Sequence, residues 1–579
     1  MKNINKFFKS FLFIIILSLG SCETFDLQQT IDPSGITIDK LDPIYAFNYA
    51  QVELPNFVDS ANRFTQRVTR QMAMTGGSTY ESAFSPELFD TNWITAYLIL
   101  NTIKGAEAKA EANEQFFILG ANRVIRCYIL MTLVDMYGDI PYSEALQGNA
   151  NLNPKFDSSE LVYEGIFNEL NQAIIDLDKT NTDIESLQER DLYYGNVTSG
   201  KGDAIKWKRL AKTLKFKMLN NSRLAGNIGG INVNSEIAAL LAEDDLINSK
   251  DDDFAFKYGT NQTNPNSRHP LYNSQYDSPS GSYIANYMFW AVTREKGTVS
   301  VSGGLNYITD PREKFYFYNQ KSSLQDLNAQ TLPCSQSSAP DHYRAPEAAS
   351  FYEPAIKGAY CTVTYTSSNK GTFLGRDHGD NSGIPQDNEY RTVVGIYPAG
   401  GAIGSATEVS GDKGAKGAGI MPMVLSSYVR FMKAEVKLTL GLGSSTDRDL
   451  LEQGIRASID KSTTLIVPPL QGGNPPSAGS VTAYLDYVLP FYDAANNAQK
   501  LEIIQKEYFI ASWGNGIEPY NAYRRTGYPS NFQPTLEPIA GDYFNTAYYA
   551  AVAANNNPNA PNNVRTRKVF WDKANLILH

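Results

Sequence analysis

The residues that could perform acid–base or nucleophilic chemistry form no known catalytic pattern in this sequence. None of the four histidines, His269, His342, His378 and His579, lies in a His-Glu-x-x-His motif. No Gly-x-Ser-x-Gly stretch offers a serine nucleophile at a tight turn. A carboxylate pair for glycoside hydrolysis depends on spacing in three dimensions, so the sequence leaves that alternative open. We expect no catalytic residue and no cofactor.

Two segments are rich in side-chain oxygen atoms, which are possible ligands of a metal ion. Asp251-Asp252-Asp253 is typical of a solvated run at the end of a helix. The stretch 377–383, Asp-His-Gly-Asp-Asn-Ser-Gly, fits no EF-hand register and lacks the distant bidentate glutamate. The sequence therefore predicts no metal site, with calcium at 377–383 left as an open alternative.

Cys22 follows a segment with the features of a secretory signal. Residues 1–21 contain three early lysines and an apolar run over Phe11–Leu19 that is short for a membrane-spanning helix. The run ends in Leu19-Gly20-Ser21-Cys22, which resembles the lipobox of bacterial lipoprotein precursors. We expect residues 1–21 to be a signal peptide, Cys22 to carry the lipid, and 22–43 to be a flexible tether. The alternative is an ordinary signal peptide with an accidental cysteine.

The other three cysteines lie far apart in the chain. Cys127 falls within an apolar helical run and is expected to be a buried, inert thiol. Cys334 and Cys361 lie in a loop-rich stretch, and an oxidising compartment would allow a disulfide between them. Their spacing does not match that of zinc ligands.

The charge balance limits the partners. The chain has 51 basic and 61 acidic residues, and loss of residues 1–21 removes three lysines and no acid, so the net charge changes from −10 to −13. An acidic chain of this kind is not expected to bind nucleic acid. After the signal, the most apolar stretch, 124–137, is short and contains Arg126 and Asp135. Attachment to the membrane is therefore expected through Cys22 alone.

Helical periodicity dominates the first 250 residues and returns after residue 420. Apolar residues recur at three- and four-residue spacing in nine segments. The segments are 44–74, 86–104, 107–137, 159–179, 203–224, 234–243, 423–440, 447–461 and 494–512.

The middle of the chain, residues 251–420, has a different pattern. Short apolar pieces alternate with Gly, Pro, Asn and Ser, which is typical of long loops with occasional strands. Tyr360–Tyr365 is the best strand candidate. Successive helix pairs suggest a tetratricopeptide-like scaffold, although no repeat near 34 residues is detectable.

Two motifs identify a family resemblance. The first is Tyr137-Gly138-Asp139-Ile140-Pro141-Tyr142-Ser143-Glu144-Ala145. The second is Tyr520-Asn521-Ala522-Tyr523-Arg524-Arg525-Thr526-Gly527-Tyr528-Pro529, which follows Gln505-Lys506. Both resemble signatures of the SusD/RagB-like outer-membrane lipoproteins. Residues 202–211, 307–312 and 428–435 add weaker matches in the same order, whereas 567–572 depart from the family's C-terminal pattern.

The resemblance implies a mostly α fold with about four degenerate tetratricopeptide-like helix pairs and a loop-rich, minor-β ligand face. It implies a single unit over 44–579, made of an N-terminal scaffold (44–250), the ligand face (251–420) and C-terminal helices and loops (421–579). It also implies a non-catalytic, lipid-anchored protein at the cell surface that captures oligosaccharides or oligopeptides. The implied partner is a SusC-like TonB-dependent β-barrel transporter of the outer membrane, on which the protein acts as a lid.

Two other classes of function stay open at this point. One is a surface glycan-degrading enzyme, and the other is a structural or adhesive lipoprotein without a soluble ligand. If the resemblance holds, ligand contacts come from aromatic and arginine side chains in loops on one face, because aromatic rings stack on sugars and an arginine fork binds carboxylates or hydroxyls. The candidates are Tyr80, Phe84, Tyr272, Tyr276, Trp290, Tyr352 and Arg376. Packing in the core is the alternative for each of them.

Overall fold

The computed structural model describes residues 41–74, 83–179, 191–195, 203–277, 283–319, 348–352, 357–358, 376, 378–379, 392–400, 414–464, 476–533, 535 and 543–573. The signal peptide, the tether through residue 40, Cys22, Tyr80, Cys334, Cys361 and the strand candidate 360–365 lie outside these residues.

The first helix, α1 (Pro43–Val68), begins with two local signals. The Asp42 side chain accepts a hydrogen bond of 2.8 Å from the Ile44 amide, and Pro43 occupies the first helical position. The expected helix 44–74 is six residues too long, because the chain turns at Arg70, whose φ is 60°. Residues 71–74 are thereby released to pair with a distant segment.

The next helices are α2 (Asp90–Ala112), α3 (Phe116–Tyr137) and α4 (Ser159–Asp178). A short 3-10 helix, Pro86–Phe89, precedes α2. The expectation of one helix over 107–137 is wrong. Glu114 has a φ of 56°, which interrupts the helical conformation between α2 and α3. Gly138 ends α3 with a φ of 83°, and Ser158 caps α4.

The scaffold consists of packed helix pairs. α5 (Ala204–Ser222) and α6 (Val233–Glu243) follow, and α9 (Ser426–Leu440) and α10 (Asp447–Thr464) come after the middle region. α1 packs on α2, α3 on α4, α5 on α6 and α9 on α10. The predicted tetratricopeptide-like, mostly α fold is confirmed.

Three further helices close the C-terminal part: α11 (Ala478–Ala494), α12 (Asn497–Ala511) and α13 (Ile517–Thr526). A single-turn helix, α14 (Ala551–Ala554), follows them. Asn496 and Gln499 form a capping box at the start of α12, so this helix begins three residues later than expected.

Within its described residues, the middle region contains two short α-helices, α7 (Asn286–Thr293) and α8 (Glu313–Tyr316). The strands of the described chain pair two by two, all antiparallel. The pairs are β1 (Ile140–Pro141) with β2 (Phe156–Asp157), β3 (Asn227–Ile228) with β4 (Ile231–Asn232), β5 (Phe254–Lys257) with β12 (Ile420–Val424), β6 (Gly297–Val299) with β7 (Leu305–Tyr307), β8 (Phe317–Asn319) with β11 (Thr392–Val394), and β9 (Ala348–Ala349) with β10 (Lys357–Gly358).

One cluster of buried apolar side chains extends from Phe47 in α1 to Trp571 near the C-terminus. Among the described helices, α3 alone is long and apolar enough to cross a membrane, and 89% of its apolar window is buried inside the protein. Burial of this kind is typical of a core helix. The division at residues 250 and 420 stays a prediction.

Candidate functional site

Three chain segments that are far apart in the sequence meet through their backbones. The sequence analysis placed the first of them in a helix and the other two in the loop-rich middle region. Met72 pairs antiparallel with Ile284, and Ala285 pairs parallel with Arg376. The Ala73 amide donates to the Tyr283 carbonyl at 3.0 Å, and the Arg376 amide donates to the Ile284 carbonyl at 3.0 Å. We call residues 71–74, 283–286 and 376 the loop junction. It joins three segments that lie far apart in the sequence.

Arg376 is oriented at the loop junction by an aromatic ring. Its guanidinium carbon lies 4.3 Å from the centroid of the Tyr283 ring. Tyr283 is buried, whereas Arg376 is partly exposed. A cation–π contact of this kind restrains a long side chain.

A second arginine lies buried at the base of the loop junction. Arg70 Nε donates to the Gln533 carbonyl at 2.9 Å, and the Gln533 side chain accepts a bond of 3.0 Å from the His378 amide. The Phe532 and Tyr543 rings each lie 5.9 Å from the Arg70 guanidinium. In the described structure its Nη2 has no hydrogen-bond partner.

The charge of Arg70 disfavours a further positive charge on its neighbour His378. Burial, together with the charge of Arg70, lowers the pKa of His378 well below its ordinary value, so this imidazole is neutral at pH 7. Arg67, in the last turn of α1, is partly buried, and burial and Arg63 lower its pKa while leaving the guanidinium protonated. This environment suits a ligand that supplies hydrogen-bond acceptors.

Phe84 lies just after the loop that contains Tyr80, and its side chain is buried. Its ring packs edge-on against Phe64 at 5.3 Å and Phe544 at 5.4 Å. The side chain therefore anchors the end of that loop to α1. Ligand contact by Phe84 stays a prediction, and it would require the covering side chains to move.

Tyr272 and Tyr276 are also buried, and they stack on each other. Their ring centroids are 5.4 Å apart and nearly parallel. The Tyr276 hydroxyl accepts a bond of 3.1 Å from the Ile396 amide and donates to the Gly400 carbonyl. Through these two hydrogen bonds the tyrosine pair holds residues 396–400, which follow β11. Their contact with a ligand stays a prediction.

Trp290 and Tyr352 lie in a second buried region, against α11 and α12. Lys506 Nζ lies 5.4 Å from the Trp290 ring, and the Tyr352 hydroxyl donates to Glu507 at 3.4 Å. Both rings are covered by protein, so a role in ligand binding again stays a prediction. Of the described candidates, Arg376 alone is at the loop junction with exposed surface.

A network of charged side chains in this second region was missed by the sequence analysis. Lys506 pairs with Glu295 at 3.0 Å, and Lys296 pairs with Glu507 at 3.1 Å. Arg312 adds a contact of 3.1 Å to Glu507. The Gln-Lys-Glu run in α12 indicated that charged residues lie close together there. Their partners could not be predicted, because they lie about 200 residues away in the sequence.

The residues of the two family motifs join scaffold elements. Asp139 accepts a hydrogen bond of 2.8 Å from the Ser159 amide at the start of α4. Asp135 accepts bonds from Tyr163 and, at 2.6 Å, from Asn521, while Arg524 donates to the Asp135 carbonyl at 2.6 Å. These residues tie α3 to α4 and α13.

Arg525, the second arginine of the motif, binds Glu435 in α9. Its Nε and Nη2 each lie 2.7 Å from one oxygen of that carboxylate. Arg223 lies 2.9 Å from Glu435, and Gln505 donates to it at 2.9 Å. Burial opposes ionisation, but the two arginines outweigh it and hold the pKa of Glu435 at about 2. The carboxylate is thus a structural anion and is not poised for proton transfer.

Comparisons with known proteins agree with the motifs. A family model for SusD-like proteins, described as starch-binding and associating with the outer membrane, matches residues 37–339 and 359–542. A comparison with curated proteins finds no match.

Solved structures show the same fold. A chitin-binding SusD homologue from Flavobacterium johnsoniae is 18% identical, with a TM-score of 0.60 over 92% of this chain and 97% of that chain. A SusD homologue from Bacteroides uniformis is 17% identical, with a TM-score of 0.60 over 92% and 100%. One from Bacteroides ovatus is 16% identical, with a TM-score of 0.61 over 92% and 99%.

Proposed function

Because this chain belongs to the SusD-like family, we propose that it is a non-catalytic nutrient-binding lipoprotein of the outer membrane that captures glycans. The family match, which extends over most of the chain, carries the proposal. The chitin-binding homologue from Flavobacterium johnsoniae, which has the same fold, supports a saccharide over an oligopeptide. An oligopeptide is the second candidate ligand, since an arginine fork also binds a peptide carboxylate.

The loop junction is the proposed centre of ligand capture. Arg376 is held over Tyr283 with part of its surface exposed. Hydroxyl groups of a sugar can accept hydrogen bonds from its guanidinium. Tyr80, which follows residues 71–74 in the sequence, is proposed to stack on a sugar ring.

Binding and turnover can be measured on the same sample. The full chain, purified in detergent, is titrated with chito-oligosaccharides, malto-oligosaccharides and a mixed tripeptide library while reducing ends are followed. Saturable glycan binding without new reducing ends supports the proposal. New reducing ends would establish the glycan-degrading alternative, and no saturable binding of any ligand would favour the adhesive one.

Variants test the position of the site. Arg376→Ala is expected to weaken glycan binding about tenfold, since a hydrogen bond from a charged group contributes about 1.5–3 kcal/mol. Arg456→Ala is the matched control, because Arg456 is an exposed arginine of α10 paired with Glu452 at 2.8 Å. Equal affinities for the two variants would exclude the loop junction.

We further propose that the protein acts as a lid on a SusC-like TonB-dependent β-barrel, tethered through lipidated Cys22 at the cell surface. The family's described association with the outer membrane supports this location. A detergent pull-down through this protein is expected to recover a large β-barrel. Repeated recovery of the protein without one would contradict the lid role.

A further inference from the structure

A polar groove lies on the scaffold, between the start of α5 and the end of α10. It has a volume of about 450 Å³, within the range of small-molecule sites. Its floor is formed by Tyr193, Tyr194, Ala255 and Ile420, the last of which pairs with Lys257 across β5 and β12. Four lysines from separate parts of the chain line it, and we call it the lysine groove: Lys206, Lys250, Lys257 and Lys461.

Two of the four lysines are already neutralised. Lys461 pairs with Asp253 at 2.8 Å, and Lys250 pairs with Asp460 at 2.9 Å. The Lys206 ammonium donates to the neutral Asp251 carbonyl at 2.8 Å. Lys257 is exposed and forms no ion pair within the described residues. Among the described residues, Lys206 and Lys257 therefore have no carboxylate partner, in a chain with a net charge of −10.

The carboxylates of the groove differ in availability. Asp253 is occupied by Lys461 and by the Ser426 amide. Asp203 caps α5 by accepting a bond of 3.0 Å from the Lys206 amide. Asp251 is exposed at the rim. The groove thus presents the ammonium groups of Lys206 and Lys257 beside the carboxylates of Asp203 and Asp251, none of which forms an ion pair within the described residues, so its charge is mixed.

We propose that the lysine groove binds a hexuronic acid residue of an acidic oligosaccharide. The ligand carboxylate faces Lys206 and Lys257, and a ring hydroxyl donates to Asp251. Hydrogen bonds between ionised partners are about twice as strong as neutral ones, so the carboxylate supplies most of the selectivity. This site is separate from the loop junction and adds an acidic sugar to the ligands expected there.

The test compares a trigalacturonate with the same trisaccharide after reduction of its carboxyl groups. Isothermal titration of the full chain in detergent is expected to show at least tenfold tighter binding of the trigalacturonate, with affinity falling as salt is added. Lys206→Met and Lys257→Met keep most of the apolar stem and are each expected to weaken trigalacturonate binding about tenfold.

Lys109→Met is the matched control, because it removes the same charge from an exposed position of α2, outside the groove. Circular dichroism checks that all three variants are folded. Equal binding of the two trisaccharides, no binding of trigalacturonate, or equal affinities for the control and the groove variants would each overturn the proposal. Because the comparison uses only the groove variants and Lys109→Met, its result is independent of Arg376 and the loop junction.

Discussion

Lys506 Nζ lies 3.0 Å from Glu295 Oε1 in the interior of the protein, where neither side chain has exposed surface. The next residues in the two segments, Lys296 and Glu507, pair in the same way at 3.1 Å. Two consecutive residues after α7 are thus matched by two consecutive residues of α12. These two adjacent ion pairs join the loop-rich region to the C-terminal helices.

Lys506→Met is expected to destabilise the protein by about 3–5 kcal/mol, because it leaves Glu295 buried without its cation. The double variant Lys506→Met, Glu295→Gln should recover part of this loss, since no buried charge is then unpaired. Chemical denaturation of the single and double variants measures both effects. A double variant no more stable than the single would show that the pair is not coupled.

Glu435 is expected to make the protein sensitive to acid. Its pKa in the folded state is about 2, below the ordinary value of 4.5, so the stability that it contributes is present above pH 4.5 and is lost as the pH falls towards 2. The loss amounts to about 3 kcal/mol. In Glu435→Gln, the free energy of unfolding should decrease less between pH 5 and 2 than in the wild type. Glu452→Gln, at a more exposed position in α10, is the control, and its profile should follow the wild type.

Gly516 has no room for a side chain. A Cβ at this position would lie 2.3 Å from the Gln66 amide nitrogen and 2.7 Å from the Thr65 carbonyl carbon, both in the backbone of α1. Gly516→Ala is therefore expected to cost at least about 1–3 kcal/mol. Gly230→Ala, where nothing lies within 4 Å, should change stability by less than about 0.5 kcal/mol. Similar melting temperatures for both variants would contradict this packing.

The thiols are expected to differ in reactivity. Cys127 is buried, and burial raises the pKa of its thiol well above the ordinary value, so alkylation of the native protein should not modify it. If Cys334 and Cys361 form the proposed disulfide, a non-reducing peptide map contains one cross-linked peptide pair. Labelling of Cys127 before unfolding, or free thiols at the other two positions, would each contradict one half of this prediction.

Cys22→Ala is expected to separate binding from delivery. The acyl chains proposed on Cys22 would hold the protein at the membrane, because each buried methylene contributes about 0.8 kcal/mol. The variant should be released from the membrane fraction, retain ligand affinity and show weaker uptake in cells. A loss of affinity in the released protein would mean that the anchor does more than tether it.

The sequence predicted the helices with a clear apolar stripe and missed those without one. α4 was found almost to the residue, because Ser158 caps it and its apolar residues recur regularly. α11 was missed, and it contains Pro490 in its interior. α13 was seen only as a motif, because its ten residues are rich in polar groups that are buried by tertiary contacts.

The candidate site was predicted only in part. The segments around 283 and 376 were placed in loops, whereas residue 72 was placed in a helix, and the five described aromatic candidates are buried. The composition of a loop indicates that it is irregular, and it does not show which rings face inward. That choice depends on partners such as Phe544 for Phe84 and Glu507 for Tyr352, which the chain supplies hundreds of residues away.

By itself, the sequence determined the helical class, the order of the scaffold helices and the family. These properties rest on local signals, namely apolar spacing, capping residues and two motifs. The tertiary structure decided the partners of the motif charges and the burial of the aromatic rings. The carboxylate of Glu435 meets Arg525 across 90 residues, and Asp135 meets Asn521 across 386. No local pattern encodes such pairs, because they form only when packing brings the helices together.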